Sequence, residues 1–296
     1  MRTLLCIIAL AITVSAHAQG GFYIKAGAGY AFALPSANMG ENSKFIYLRE
    51  LDPETGNYIP AFIRERSVVK GSPGAGMMAS VAAGYNLSDI LSIDASFSYL
   101  HGNTYKTSSV NQDVIFEDAF NITNTDRSSV ASAAKAFLIS PSVMLTVPNG
   151  ALRPYVSAGP VLGFITLETK FNHRSDYDGE HQEVRHEKYS GGVSVGMRGA
   201  VGVSFTLNSS LSLFSELGFN SLRYAPNEKE VTRYEINDQN MLTDMYEQDR
   251  RTLYVKHLSS DTRNDNYNDP DQPARATQIS FDMSSIAANV GLKIIL

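Results

Sequence analysis

The stretch Phe171-Asn172-His173-Arg174-Ser175, with Glu187 beyond it, supplies an imidazole base, a hydroxyl nucleophile and an orienting carboxylate. Held together, those three types make an activated serine that attacks acyl groups. The stretch also lies in a charged region, where such residues commonly fall together by accident. The expectation is that no residue here is catalytic and that the chain is not an enzyme. His173, His181 and His186 suggest a metal by their type, yet exposed histidines among acids are ordinarily surface groups. Neither a metal nor a cofactor is expected. Residues 261–271, Asp-Thr-Arg-Asn-Asp-Asn-Tyr-Asn-Asp-Pro-Asp, offer oxygens to calcium, which takes about six to eight of them. They lack the Asp-x-Asp-x-Asp-Gly order of a calcium loop, which favours a solvated segment.

Any such group is placed by the elements that carry it, and these read as strands. Phe22, Ile24, Ala26, Ala28, Tyr30, Phe32 and Leu34 alternate with Tyr23, Lys25 and the small residues Gly27, Gly29 and Ala31. Alternation over this length gives a strand with one apolar face. The same period recurs over 77–87, 91–99, 137–147, 152–164, 193–207, 211–220 and 285–296, which makes eight strands. Asn86–Asp89, Pro148-Asn149-Gly150 and Asn208-Ser209-Ser210 form short turns. The other connections are long, over about 35–76, 102–132, 168–189 and 224–276. Short turns at one end and long loops at the other form the pattern of an outer-membrane barrel. Each strand is long enough to cross a membrane at a tilt, and in lipid every backbone N–H and C=O must find a partner. The expected fold is therefore all-β: a closed antiparallel up-and-down transmembrane barrel of eight strands. It has short periplasmic turns and four long extracellular loops.

Charge follows the same division. Of the 30 acids, 26 lie in the four long loops, and only Asp94 and Glu216 sit in mid-strand, both on the small, polar face. By face parity Lys25, Asp94, Arg153, Arg198, Glu216 and Lys293 point inward as a lumen charge network. An eight-stranded barrel is only wide enough for side chains to fill it, and buried charges need partners. A structural plug is the expected arrangement, with a narrow solute path as the alternative. A formal net charge of -5 argues against nucleic-acid binding. Trp is absent, so the interfacial aromatics fall to Tyr and Phe, with Tyr30, Phe32, Tyr85, Phe97, Tyr99, Phe164 and Phe219 as candidates.

The first 18 residues differ from the rest. Arg2, an apolar run from Leu4 to Val14, and Ala16-His17-Ala18 read as a signal peptide cleaved after Ala18. Cleavage removes Cys6, the only cysteine, and leaves 19–296 as one barrel domain.

The residues Arg153-Pro154-Tyr155-Val156-Ser157-Ala158-Gly159 resemble the Pro-Tyr strand of small outer-membrane barrels of the OmpA/OmpX-type superfamily. This is the broad outer membrane protein β-barrel domain family. The end of the chain, residues 289–296, resembles the C-terminal assembly signal of such barrels, with Asn289, Gly291, Ile294 and Leu296 at its marked places. The family usually ends in Phe, and Leu296 departs from that. The His173-Arg174-Ser175 element also resembles the His-x-Ser element of outer-membrane lipid A deacylases, but the residues after the serine and its mid-chain position differ. The first resemblance implies a porin-like, integral protein of a Gram-negative cell outer membrane. Its partners would be the lipid bilayer and the barrel assembly machinery, together with any extracellular partner of the loops. The expected role is structural, adhesive or surface-interacting. A small-solute channel is second and a lipid-modifying hydrolase third.

Overall fold

The computed structural model describes residues 21–34, 38–52, 54–70, 72–115, 123–148, 150–176, 180–258 and 269–296. Ala16, Ala18 and most of the 261–271 stretch lie outside them. In chain order the strands are β1 (Phe22–Ala33), β2 (Asn38–Leu51), β3 (Tyr58–Lys70), β4 (Gly76–Asn86), β5 (Leu91–Gly102) and β6 (Tyr105–Ile115). Next come β7 (Thr123–Thr146), β8 (Leu152–Ser175), β9 (His181–Ser190), β10 (Ser194–Thr206), β11 (Leu211–Tyr224) and β12 (Glu228–Ile236). The remainder are β13 (Gln239–Asn240), β14 (Arg251–Val255), β15 (Ala274–Thr277), β16 (Phe281–Asp282) and β17 (Ser285–Ile295). One turn of helix, α1 (Glu247–Arg250), precedes β14.

The eight segments with period-two alternation are β1, β4, β5, β7, β8, β10, β11 and β17. Each pairs antiparallel with two of the others, in the order β1–β4–β5–β7–β8–β10–β11–β17, and β17 returns to β1. Lys25 is the register partner of Lys293 in the returning pair. Three tight turns join neighbours in this cycle. The Asn208 side chain accepts the backbone N–H groups of Ser210 and Leu211, and Ser88 Oγ accepts those of Ile90 and Leu91. Gly150 has φ 65°, a conformation that favours glycine.

Alternation sorts the side chains. Phe22, Val81, Phe97, Phe137, Val195, Leu217 and Val290 are exposed on the outward face, an apolar belt larger than water-soluble monomers leave open. Phe22 packs on Tyr85 at the turn end of the belt, and Tyr99 packs on Phe137 towards its loop end. Phe97 pairs with Val81 and Ile139 in mid-wall, so it does not belong to either rim.

The enclosed face has two layers, which corrects the expectation of a polar interior throughout. Its turn-side half carries the charges and most of the buried hydroxyls, with Tyr23, Met144, Tyr155 and Ile295 packed among them. Its loop-side half is an apolar cluster that includes Met78, Leu100, Leu138, Val161, Ile165, Leu167, Leu222, Tyr224 and Met283. Segment 72–75 adds to it from above, with Ser72 and Ala75 buried and Ser72 Oγ donating to the Asp282 carbonyl at 3.0 Å.

The long connections are largely strand. The β7–β8 ladder continues to Asp126↔Ser175, well past the segments 137–147 and 152–164 marked by alternation. Above the cycle the pairing order is β3–β2–β6–β7–β8–β9–β12–β14–β15, with β2–β6 and β14–β15 parallel. These extensions lack a regular apolar alternation, so no period announces them: β2 and β3 carry apolar residues in unbroken runs such as residues 45–48, and β9 and β12 are mostly polar. Within the first long connection β2 and β3 pair as a hairpin, Asn38 with Lys70 through Leu51 with Tyr58. Val231–Ile236 pairs with β9, and β14 meets only Glu228–Glu230.

Candidate functional site

The polar half of the interior holds two constellations of the same design. In the first, Tyr23 on β1 lies across β4 and donates its hydroxyl to Asp94 Oδ2 on β5 at 3.3 Å. Lys25 Nζ meets the same carboxylate at 2.5 Å, and Ser142 on β7 donates to its other oxygen. In the second, Tyr155 on β8 lies across β10 and donates to Glu216 Oε2 on β11 at 3.1 Å, while Arg198 on β10 pairs with Glu216 Oε1. Arg198 also donates to Ser96 Oγ on β5 at 3.1 Å, which links the two across the interior.

Each tyrosine ring fits over a glycine of the strand it crosses. A Cβ placed on Gly84 would lie 2.2 Å from Cζ of Tyr23, and one on Gly202 would lie 2.4 Å from Cζ of Tyr155. The carboxylates are almost fully buried, with Asp94 at 8% and Glu216 at 6% exposure. Buried carboxylates with several donors are satisfied groups, and nothing in either constellation offers a free nucleophile. Between them the residual void is about 30 Å³, on the order of one water molecule.

Of the six inward charges expected from parity, four form these two ion pairs. Arg153 and Lys293 stand apart. Arg153 is exposed at the turn-side mouth and gives the Gly150 carbonyl one 3.4 Å hydrogen bond. Lys293 Nζ sits 3.9 Å from the centroid of the Tyr23 ring, a cation–π contact. The tyrosines and glycines that complete the constellations carry no charge and so do not stand out in the sequence as the lumen charges do. Their signal was parity itself, because Tyr23 and Tyr155 occupy inward positions where small residues otherwise prevail.

The four C-terminal signal residues divide by face. Ile294 and Leu296 are exposed outward, whereas Asn289 is buried with its Oδ1 unpartnered among the described residues. Gly291 lies beneath Phe214, where a Cβ would come within 2.7 Å of the ring and 2.1 Å of the Ala26 carbonyl. That place needs glycine on packing grounds alone.

The residues singled out for catalysis lie in the extension above the cycle and do not converge. His173 pairs with Glu183 in the β8–β9 ladder, whereas Glu187 pairs with Thr169, four positions further along β8. His173 Nδ1 is instead 3.6 Å from Asp126, and Glu187 accepts from Tyr189 and meets Arg185 and Lys229. The rings of His173 and His181 are 6.0 Å apart. Among the described residues no group of three or more His, Cys, Asp or Glu is placed to hold a metal ion. Electrostatics here are those of a salt-bridged surface. Burial, with Lys170 and Arg233 nearby, holds the His186 imidazole below its ordinary range. Burial followed by the Glu187 charge raises the Tyr189 hydroxyl. Arg251 spans Glu228 and Glu247 at 2.7 and 2.9 Å and ties α1 to β12.

A family profile described as the outer membrane protein beta-barrel domain matches residues 3–243. No curated protein matches the sequence. Two solved structures are distantly similar. Neisserial surface protein A (NspA) is 12% identical with a TM-score of 0.39, over 93% of this chain and 97% of that one. The outer membrane protease OmpT of Escherichia coli is 8% identical with a TM-score of 0.25, over the same shares.

Proposed function

The chain belongs to the outer membrane protein beta-barrel domain family, and from that premise we propose that its eight-strand cycle is a closed transmembrane barrel with a filled lumen that presents a β-rich surface structure outside the cell. The observation that carries this reading is the interior. Two ion pairs, two tyrosines and an apolar cluster occupy it from the turn side to the loop side, with a void of about 30 Å³ at the level of the charges. A hydrated solute path needs a continuous polar bore, and the apolar half supplies none. The role is accordingly structural, adhesive or surface-interacting, and non-catalytic. Its working surface is the continuation of the wall through β2, β3, β6, β9, β12, β14 and β15.

Orientation and role are tested together. Single cysteines at Asp238, in the β12–β13 turn, and at Ser209, in a tight turn, are exposed to a membrane-impermeant maleimide on intact cells. The reading expects labelling at 238 only, and loss of surface attachment when residues 38–70 are replaced by a short turn. Labelling at 209 on intact cells reverses the orientation. Unchanged attachment removes the β2–β3 hairpin from the role.

A further inference from the structure

We infer that the turn-side mouth of the barrel is a binding site for a small doubly charged oxyanion of the phosphate or sulfate type. A cavity of about 260 Å³ opens there, lined by three cations, Lys25, Arg153 and Lys293, against one carboxylate, Asp89. Lys25 is engaged by Asp94 below the cavity floor. Lys293 and Arg153 make no ion pair among the described residues: Lys293 lies over the Tyr23 ring and Arg153 donates to the Gly150 carbonyl. Lys293 is half-buried and is the direct register partner of Lys25, so two ammonium groups are held on adjacent strands. Asp94 offsets Lys25, so the cationic surplus of the cavity rests on Lys293 and Arg153, and an anion beside them offsets it. Hydroxyls such as those of Ser204 and Ser212 line the same space and add neutral donors. The volume exceeds that of several waters, which leaves room for a tetrahedral oxyanion and its remaining hydration. Arg supplies forked donors and Lys a point charge, the usual pair for such a ligand. The site rests on the barrel reading for its compartment, the periplasm, and for the wall that forms it.

The test uses the full mature chain folded in uncharged detergent and titrated at constant ionic strength with sodium phosphate, sodium sulfate or sodium chloride. Amide NMR shifts are followed at the turns 86–91 and 207–211 and at the loop-side residues 237–240. Saturable shifts at the turns with phosphate or sulfate, absent with chloride and absent at 237–240, are expected. Arg153→Gln, an exposed change compatible with folding, should weaken binding about tenfold, and Lys293→Met by at least as much. Equal effects of chloride, or shifts that never saturate, reduce the effect to ionic screening and overturn the site. So does unchanged affinity in Arg153→Gln. A chain with a β-sheet circular dichroism spectrum and no oxyanion response refutes the site alone. A chain without that spectrum refutes the barrel reading along with it.

Discussion

Replacing Arg198 by Met removes the only cation among the described residues that meets Glu216 and leaves a carboxylate at 6% exposure with the Tyr155 hydroxyl as its partner there. The Arg198 side chain is itself only 17% exposed, so solvent screening does little to soften the loss. Breaking such a pair from one side costs about 3–5 kcal/mol, because the surviving charge is desolvated without compensation. Removing both charges, as Arg198→Met with Glu216→Leu, restores an apolar interior of similar volume. The remaining cost is then that of the Tyr155 hydroxyl, about 1–3 kcal/mol for a buried group left unpaired, because Ser96 Oγ keeps its hydrogen bond to the Ser140 carbonyl. The double variant should therefore be more stable than Arg198→Met by about 2 kcal/mol, with a coupling of at least that size between the two sites. Reversible urea unfolding into lipid vesicles, read by intrinsic tyrosine fluorescence across the four proteins, measures it. Additive losses, or a loss below about 1 kcal/mol in Arg198→Met, would show that the pair is solvated and that the interior is open to water at its level.

Gly84→Ala and Gly202→Ala each drive a Cβ into a tyrosine ring, and overpacking of this kind should cost about 1–3 kcal/mol in the same unfolding assay, with Tyr23→Leu or Tyr155→Leu recovering part of the loss in its own pair. A wild-type midpoint in either alanine variant would mean the rings do not lie over these glycines. Burial and two neighbouring cations lower the His186 pKa, so the folded extension favours the neutral ring, whereas the opened chain takes up a proton below its ordinary value near 6.5. The β9–β12 region should thus open more readily as pH falls through about 6.5, seen as faster limited proteolysis between 7.5 and 5.5, and His186→Asn should remove that dependence.

What the sequence disclosed and what it hid follow from the solvent on each side of a strand. Where lipid lies outside and a packed interior within, contrast between the faces is strong, and β1, β4, β5, β10, β11 and β17 fall within a few residues of the segments that alternate. Above the belt most positions of β7, β8, β9 and β12 meet water or polar neighbours on both faces, Leu167, Tyr189 and Val231 excepted. A stretch such as Thr123–Ser132 then carries no period although it is strand. The lumen charges were legible because an ionised group at an inward position is conspicuous, and Lys25, Asp94, Arg198 and Glu216 do come together. Their partners were not legible. Tyr23 reaches Asp94 across an intervening strand, a relation set by ring length and by the absence of a side chain at Gly84. The apolar half of the interior was hidden for a different reason. At Met77-Met78, Tyr99-Leu100 and Phe137-Leu138 both faces are apolar, and alternation cannot tell a core residue from a lipid-facing one there.

Single-channel current across a planar lipid bilayer tests the filled lumen most directly. The folded protein should insert without discrete conductance steps, and Arg198→Ala should leave the trace equally quiet, because the cluster around Leu100, Leu138, Ile165 and Leu222 still closes the loop-side half. Reproducible ohmic steps in the wild type, or their appearance in Arg198→Ala, would contradict the account and identify the charge layer as a gate.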